Sequence, residues 1–198
     1  GKGPGVDRSG DALKHGNLSG SSPCGGVLLL LGDDHTCKSS TTSHQSEFSM
    51  VDAMIPVLNP SGVGEIISFG LYGIALSRFS GCWVSMKLVA ETMDSSVSIT
   101  TNNEPYRFAT PEFDLPNDGL HIRWPDTPQE QERRLHRQKL RAVHAFARAN
   151  PIDRIEWPTS RKQLGIITTG KSYLDVRQAL DILEIDETRA AELGLSIY

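Results

Sequence analysis

A polar segment between Asp33 and Ser46 gathers the side chains best suited to chemistry. The candidates share a group that can exchange a proton or make strong hydrogen bonds: Asp33, Asp34, His35, Ser39, Ser40, His44 and Gln45. Such a cluster can orient a polar ligand or protonate a substrate. The same residue types also cap helices and fasten turns. The residue types alone therefore leave a binding site and a structural loop about equally open.

Metal chemistry is not predicted for this segment. His35 and His44 lack both helical and zinc-type spacing, and no metal ligand is assigned. The cysteines at 24, 37 and 82 are odd in number, widely spaced and without a C-x-x-C pair, so they encode neither a zinc site nor an iron–sulfur cluster. They are typical of reduced thiols, which predicts a cytoplasmic protein.

Charge and hydropathy narrow the possible partners. The 198 residues carry 20 basic and 24 acidic side chains, a formal net charge of -4 that gives no reason to expect nucleic acid or an anionic membrane as partner. The longest apolar run, 27–31, is too short to span a bilayer. We therefore expect neither a nucleic-acid partner nor a membrane partner.

Apolar patterning predicts the elements that position the polar segment. Continuous apolar runs indicate strands over 26–34, 55–58 and 82–89, the first buried on both faces, and helical spacing indicates helices over 47–54 and 60–79. The glycine-rich residues 1–25 are predicted to form a loop. Alternating strands and helices favour an α/β fold with a parallel, doubly wound sheet, which binds ligands at the carboxyl ends of its strands.

The second half of the chain is predicted to contain a connection and a new unit. Proline-rich residues 100–128 indicate an irregular segment, and 129–150 a basic amphipathic helix whose arginines are mainly solvated. A strand over 163–168 and helices over 171–183 and 187–193 indicate the first βα unit of a second α/β domain. The predicted domains are therefore 1–99, 100–160 and 161–198.

A phosphate-loop pattern, G-x-x-x-x-G-K-[ST], spans Gly165 to Ser172. In a working phosphate loop the apolar strand ends before the first glycine, and the following N–H groups cradle phosphate. Here Ile166 and Ile167 lie inside the motif and are themselves typical of the buried strand. We therefore expect strand and turn instead of a nucleotide site, although an anion at the N-terminus of the following helix stays open.

Several segments, in order and spacing, resemble the indolepyruvate ferredoxin oxidoreductases, which are thiamine-diphosphate-dependent 2-oxoacid oxidoreductases. They are Lys2-Gly-Pro-Gly-Val-Asp-Arg-Ser9, Gly25-Gly-Val-Leu, Gly32-Asp-Asp-His35, Ser39-Ser40, His44-Gln45-Ser46, Asn59-Pro60 and Gly165-Ile-Ile-Thr-Thr-Gly-Lys-Ser-Tyr-Leu-Asp175. The resemblance implies the latter part of a transketolase-like pyrimidine-binding domain, followed by the start of a transketolase-C-terminal-like domain.

The resemblance implies oxidative decarboxylation of aryl 2-oxoacids such as indolepyruvate to acyl-coenzyme A, with electrons passed to ferredoxin. It assigns a catalytic role to His44 on the substrate side and to Arg8 as a carboxylate clamp. An alternative for Arg8 is a pair with Asp7 that stiffens the loop. The cofactor-binding positions are those matching the acidic and hydroxyl-rich loop: Asp33, Asp34, His35, Ser39, Ser40 and Gln45.

The family pattern is incomplete in this sequence. The activating glutamate, the Gly-Asp-Gly motif for diphosphate and magnesium, and the cluster cysteines are all missing. We therefore expect an inactive fragment that holds no cofactor by itself, with missing domains or subunits, ferredoxin, coenzyme A and a homo-oligomer as partners of the full enzyme. The competing hypothesis is a stand-alone α/β binding or interaction module without catalysis.

Overall fold

A three-stranded parallel sheet forms the centre of the first unit. The computed structural model describes residues 1–100 and 106–198, and its first sheet contains β1 (Leu28–Asp33), β2 (Val57–Leu58) and β3 (Val84–Val89). Their spatial order is β1-β3-β2, and both pairings are parallel. β3 is therefore central, and the three predicted strands are present with shorter bounds.

Helices cover both faces of this sheet. The helices are α1 (Gly3–Arg8), α2 (Gly10–Ser19), α3 (Glu47–Asp52) and α4 (Glu65–Ser80). Successive side chains of a strand point to opposite faces. Accordingly, Leu31 enters a core with α1 to α3, whereas Val84 and Met86 enter a separate core with α4. The predicted parallel, doubly wound α/β fold is confirmed.

Residues 3–8 and 10–19 form α1 and α2, so the prediction of a loop over 1–25 is wrong for them. Close packing explains why glycine occurs in these helices. A Cβ at Gly16 would lie 2.2 Å from the indole of Trp83, and one at Gly3 would lie 1.9 Å from the imidazole of His44. Tertiary packing supports helices whose intrinsic propensity is low.

β1 lies at one edge of the sheet. One of its faces is partly exposed, so the prediction that the strand is buried on both faces is wrong. Leu30 is 50% exposed there. The first two residues pair alongside this edge through a parallel bridge between Lys2 and Gly32, with the Gly32 N–H donating to the Gly1 carbonyl at 2.8 Å. This pairing brings Lys2 to the carboxyl end of β1.

The connection after β3 begins with the short helix α5 (Ala90–Met93). Residues 106–127 contain neither helix nor strand, as predicted for the proline-rich segment, whereas Pro105 lies outside the described residues. A nearly continuous helix follows: α6 (Pro128–Arg134), a π-helical turn (Leu135–Lys139) and α7 (Leu140–Ala149). Thr127 and Glu130 form a capping box at its start, so the helix predicted over 129–150 is present.

Two cations of this basic helix are buried, so the prediction of a solvated charged face is wrong for them. Lys139 is 0% exposed and donates to the carbonyls of Leu18 (3.1 Å) and Ser19 (3.3 Å) at the C-terminus of α2. Arg134 is 2% exposed and bonds to the Asp126 carboxylate and the Gly119 carbonyl. Both side chains therefore fasten the helix to the rest of the first unit.

A second unit contains β4 (Leu164–Ile166), α8 (Lys171–Ile182), α9 (Glu187–Leu193) and β5 (Leu195–Ile197). β4 and β5 pair in parallel and pack with Trp157, Leu180 and Ala190. The predicted βα unit is confirmed, while the domain boundaries stay predictions. Ile166 is partly buried, but Ile167 is 83% exposed because β4 ends before it. The predicted burial of Ile167 is wrong.

Along the described ranges, no helix combines the length and apolar character needed to cross a membrane.

Candidate functional site

Asp33, the last residue of β1, is the buried anchor of a polar cluster at the carboxyl end of the sheet. Its side chain is 0% exposed. Ser46 donates to it twice, from the backbone N–H to Oδ2 at 2.9 Å and from the hydroxyl to Oδ1 at 2.5 Å. A buried carboxylate needs such bonds to offset its lost hydration. The Asp33–Ser46 contact thus closes the loop that begins after β1.

Lys87 of β3 supplies the positive charge beside Asp33. Its ammonium lies 3.7 Å from Oδ2 of Asp33 and forms an ion pair with Glu47, at the start of α3. Burial raises the pKa of Glu47, but the hydrogen bond and the charge of Lys87 outweigh it, so the pKa lies below its usual value. The cluster therefore joins β1, β3 and α3 through charged groups.

His44 is enclosed by α1 and the end of β1. Its side chain is 12% exposed, and Nε2 lies 3.1 Å from Oδ2 of Asp7. Nδ1 is buried 3.9 Å from Oδ1 of Asp33 and has no hydrogen-bond partner among the residues that the structure describes. Because a carboxylate only accepts, Nε2 carries the proton of the His44–Asp7 bond.

Asp34 organises the next part of the loop. Its carboxylate accepts the backbone N–H groups of Lys38 and Ser39, each at 2.9 Å. The pKa of Asp34 lies below its usual value, chiefly because of the Ser39 N–H, with further support from the Lys38 N–H, the Ser40 hydroxyl and the charge of Lys2. Lys2 in turn donates to the Ser39 carbonyl at 2.6 Å and to its hydroxyl at 2.5 Å. Asp34 is thereby held as a carboxylate.

A pocket of about 390 Å³ opens beside this loop, between the ends of β1 and β3 and the helix α5. Three of the predicted site residues line it, namely Asp33, Asp34 and Ser39. Lys2 lies on the same wall, and Leu88, Val89 and Met93 provide an apolar wall. The pocket therefore combines charged groups with a flat apolar surface.

The remaining predicted residues do not line this pocket. His35 and Gln45 are exposed, and His44 is enclosed as described. The Ser40 hydroxyl oxygen is buried and helps to lower the pKa of Asp34. Arg8 is exposed at the end of α1. Asp7 pairs with His44, not with Arg8, so the alternative of an Asp7–Arg8 pair is wrong.

Three further residues belong to the cluster and were not predicted from the sequence, namely Lys87, Glu47 and Ser46. Lys87 carried a usable signal, because a lysine inside an apolar run near the end of a buried strand needs a charged partner. Glu47 and Ser46 carried a weaker one, since they also suit the start of a helix. Only the fold brings α3 against β3, so their pairing with Lys87 has no local signature.

The phosphate-loop pattern does not form a phosphate loop. Its first residues, Gly165 and Ile166, belong to β4, and the turn 167–170 leads into α8. Lys171 is turned to Asp175 at 2.5 Å. The predicted strand followed by a turn is therefore present.

The described residues place no group of three or more His, Cys, Asp or Glu side chains where it could hold a metal ion. Cys24, Cys37 and Cys82 are free thiols, as predicted. Burial raises the pKa of Cys82 to about 11. This cysteine is therefore a thiol at neutral pH.

Comparison with known proteins identifies relatives of the chain. Residues 154–198 match the family model described as an indolepyruvate oxidoreductase domain. Indolepyruvate oxidoreductase subunit IorA from Pyrococcus horikoshii is 27% identical over 174 residues, which cover 86% of this chain and 26% of that protein. The resemblance to the indolepyruvate oxidoreductases is confirmed. The subunit IorA from Pyrococcus abyssi is 26% identical over the same shares of both chains.

The match to the indolepyruvate oxidoreductases has a defined extent. The chain spans about a quarter of the length of the IorA relatives, since 26% of each is covered. No solved structure matches the chain significantly. The similarity therefore covers one section of each relative.

Proposed function

We propose that this chain is a section of a thiamine-diphosphate-dependent oxidoreductase that converts aryl 2-oxoacids, such as indolepyruvate, to acyl-coenzyme A with ferredoxin as electron acceptor. The observation that carries the proposal is the match of 86% of the chain to proteins named indolepyruvate oxidoreductase subunits. Catalysis is assigned to the whole protein. The relatives are named as subunits, which supports a partner subunit, and a homo-oligomer and the cytoplasm are part of the same proposal.

The position of the polar cluster supports a ligand site. Doubly wound parallel sheets bind ligands outside the carboxyl ends of their strands. The pocket beside Asp33 and Asp34 lies at such an end. We assign the cofactor-facing edge to the loop residues of the sequence analysis: Asp33, Asp34, His35, Ser39, Ser40 and Gln45.

The residues present fit the pyrimidine end of thiamine diphosphate. An aminopyrimidine is flat and carries both donors and acceptors, which suits a pocket lined by the apolar Leu88 and Val89 together with the polar Lys2 and Ser39. When bound, the cofactor supplies a carbanion that attacks the keto carbon and accepts charge as carbon dioxide leaves. Magnesium, the diphosphate and the iron–sulfur clusters are assigned to other parts of the protein.

His44 and Arg8 are proposed to act toward the substrate. Asp7 fixes the ring of His44 through Nε2, which leaves Nδ1 as the ring nitrogen without a hydrogen bond to the described residues. Arg8 follows Asp7 directly and extends into solvent. Its planar guanidinium suits a two-pronged bond to the carboxylate of a 2-oxoacid.

An assay of the complete protein tests the proposal. With thiamine diphosphate and magnesium added under anaerobic conditions, indolepyruvate and coenzyme A should together drive the reduction of ferredoxin, and omission of either should stop it. Pyruvate and 2-oxoglutarate serve as controls for the preference for aryl substrates. A folded complete protein that neither binds the cofactor nor reduces ferredoxin would instead support the non-catalytic binding module.

A further inference from the structure

A second cavity, of about 300 Å³, lies between the end of β2 and the start of α8. It shares no lining residue with the pocket at β1. Phe69, Tyr72 and Val143 line it from the first unit, and Thr168, Thr169 and Gly170 from the second. The volume is in the range of small-molecule sites.

Tyr72 is a buried polar side chain on the wall of this cavity. It is only 3% exposed, with its ring edge-on to Phe108 and Phe146 at centroid distances of 5.7 and 5.3 Å. Its hydroxyl makes no hydrogen bond to any residue in the described ranges, although Tyr72 lines the cavity. Thr168 Oγ1, on the opposite unit, is also buried without a partner there. Buried polar groups are nearly always bonded, and Thr168 Oγ1 lacks such a partner among the described residues. The Tyr72 hydroxyl is available for a hydrogen bond to a molecule in the cavity.

The start of α8 gives the cavity an end suited to a carboxylate. The first N–H groups of a helix have no partner within the helix and carry a partial positive charge. α8 is 12 residues long and begins directly after Gly170, whose φ of 58° turns the chain into it. Asn59 donates to Thr169 Oγ1 at 3.3 Å, which ties the turn to the end of β2.

Asp153 gives the same cavity an end suited to a cation. The other acids on its wall are already engaged: Glu65 accepts from Ser61, and Glu156 pairs with Arg154. Asp153 has no ion pair within the described chain and is exposed at the cavity mouth. Burial raises the pKa of Tyr72 and the charge of Asp153 adds to the effect, so the phenol stays a donor.

We propose that this cavity binds a free aromatic α-amino acid in its zwitterionic form. The aromatic ring packs against Phe69 and Tyr72, the carboxylate meets the start of α8 and the Thr168 hydroxyl, and the ammonium group pairs with Asp153. This occupant uses the apolar wall and both charged ends, whereas a simple anion would leave Asp153 facing it. The inference does not depend on the proposed enzymatic activity.

Calorimetry on the 198-residue chain with L-phenylalanine tests the proposal. The probe is compared with 3-phenylpropionate, which lacks the ammonium group, and with phenethylamine, which lacks the carboxylate. Both analogues should bind at least about tenfold more weakly, because each loses a charge-assisted hydrogen bond. Asp153→Asn should weaken L-phenylalanine by about tenfold or more without affecting 3-phenylpropionate. Asp114→Asn, at an exposed acid outside the cavity, should change neither.

Tyr72→Phe and an NMR titration keep the test independent of folding defects. Tyr72→Phe keeps the ring and should weaken L-phenylalanine by about two- to tenfold, the value of one neutral hydrogen bond. In the unmodified chain, the amide signals of Gly170 and Lys171 should shift on addition of L-phenylalanine. Absence of binding, equal binding of 3-phenylpropionate, or shifts confined to the β1 pocket would each overturn the proposal.

Discussion

Nε2 of His44 lies 3.1 Å from Oδ2 of Asp7, and this bond joins the loop after β1 to helix α1. The ring is also in contact with the backbone of Gly3, where no side chain intervenes. Under the proposed function, His44→Ala in the complete protein should lower turnover of aryl 2-oxoacids by about 10²- to 10⁴-fold, the usual value of a positioned acid or base. Cofactor affinity should fall much less.

The measurement for His44 is the rate constant at saturating cofactor, set beside the dissociation constant of thiamine diphosphate. His44→Gln serves as a second variant that retains a hydrogen bond to Asp7. An unchanged rate constant with weakened cofactor binding would remove His44 from the substrate side and leave it as a structural residue.

Gly3→Ala and Gly5→Ala form a matched pair within α1. A Cβ at Gly3 would lie 1.9 Å from the His44 ring, whereas one at Gly5 meets nothing within 4 Å. Gly3→Ala should therefore lower the free energy of unfolding by about 1–3 kcal/mol through overpacking. Gly5→Ala should raise it by up to about 1 kcal/mol, as glycine is a poor helix former. Urea unfolding measures both, and equal effects would show that α1 does not pack on His44.

Buried Lys139 should make stability rise with pH just above pH 8. Burial lowers the pKa of this ammonium from 10.5 to about 8. Above pH 8 the unfolded chain holds a proton that the folded chain has lost, so unfolding becomes less favourable as pH increases. From about 9 the buried Cys82 thiol, with its pKa raised to about 11, acts in the opposite direction. The expected gain between pH 8 and 9 is about 1 kcal/mol.

Urea unfolding at pH 7, 8 and 9 measures the effect of Lys139. Lys139→Met should abolish the rise, and Lys162→Met, at an exposed lysine, should leave it intact. A flat profile in the unmodified chain would mean that Lys139 keeps an ordinary pKa in the folded protein.

The isolated chain should bind thiamine diphosphate weakly or not at all. The pocket at β1 offers contacts for the pyrimidine end, while the proposal assigns the diphosphate and its metal ion to another part of the protein. Calorimetry with magnesium present measures the affinity. A submicromolar dissociation constant for this chain alone would contradict that division of the site.

The sheet and most helices were predictable because buried strands and helix faces require apolar residues at a regular local spacing. The apolar run at 82–89 gave β3, and helical apolar spacing gave α4. The helices α1 and α2 were not predictable in the same way, since glycine disfavours helices in isolation. Their stability depends on close approach to Trp83 and His44, which are distant in sequence.

The candidate site was predictable only in part, for a related reason. Asp33 and Asp34 follow an apolar run, so their position at the end of a strand could be predicted from the sequence alone. The bond from His44 to Asp7 spans 37 positions, and that from Lys87 to Glu47 spans 40. Such pairs are fixed by strand order and helix packing, which leave no trace in local spacing.

The π-helical turn at Leu135–Lys139 determines the directions in which the two buried cations, Arg134 and Lys139, extend from the helix axis. Arg134 and Lys139 are five positions apart, which in a regular α-helix separates their directions by about 140°. The wider turn brings both side chains to the protein side of one helix. Conversion of this turn to a regular α-helix with all five residues kept would restore the separation of about 140° and point one of the two cations toward solvent. The extra residue thus acts as a spacer that lets one helix fasten both α2 and the 119–126 segment.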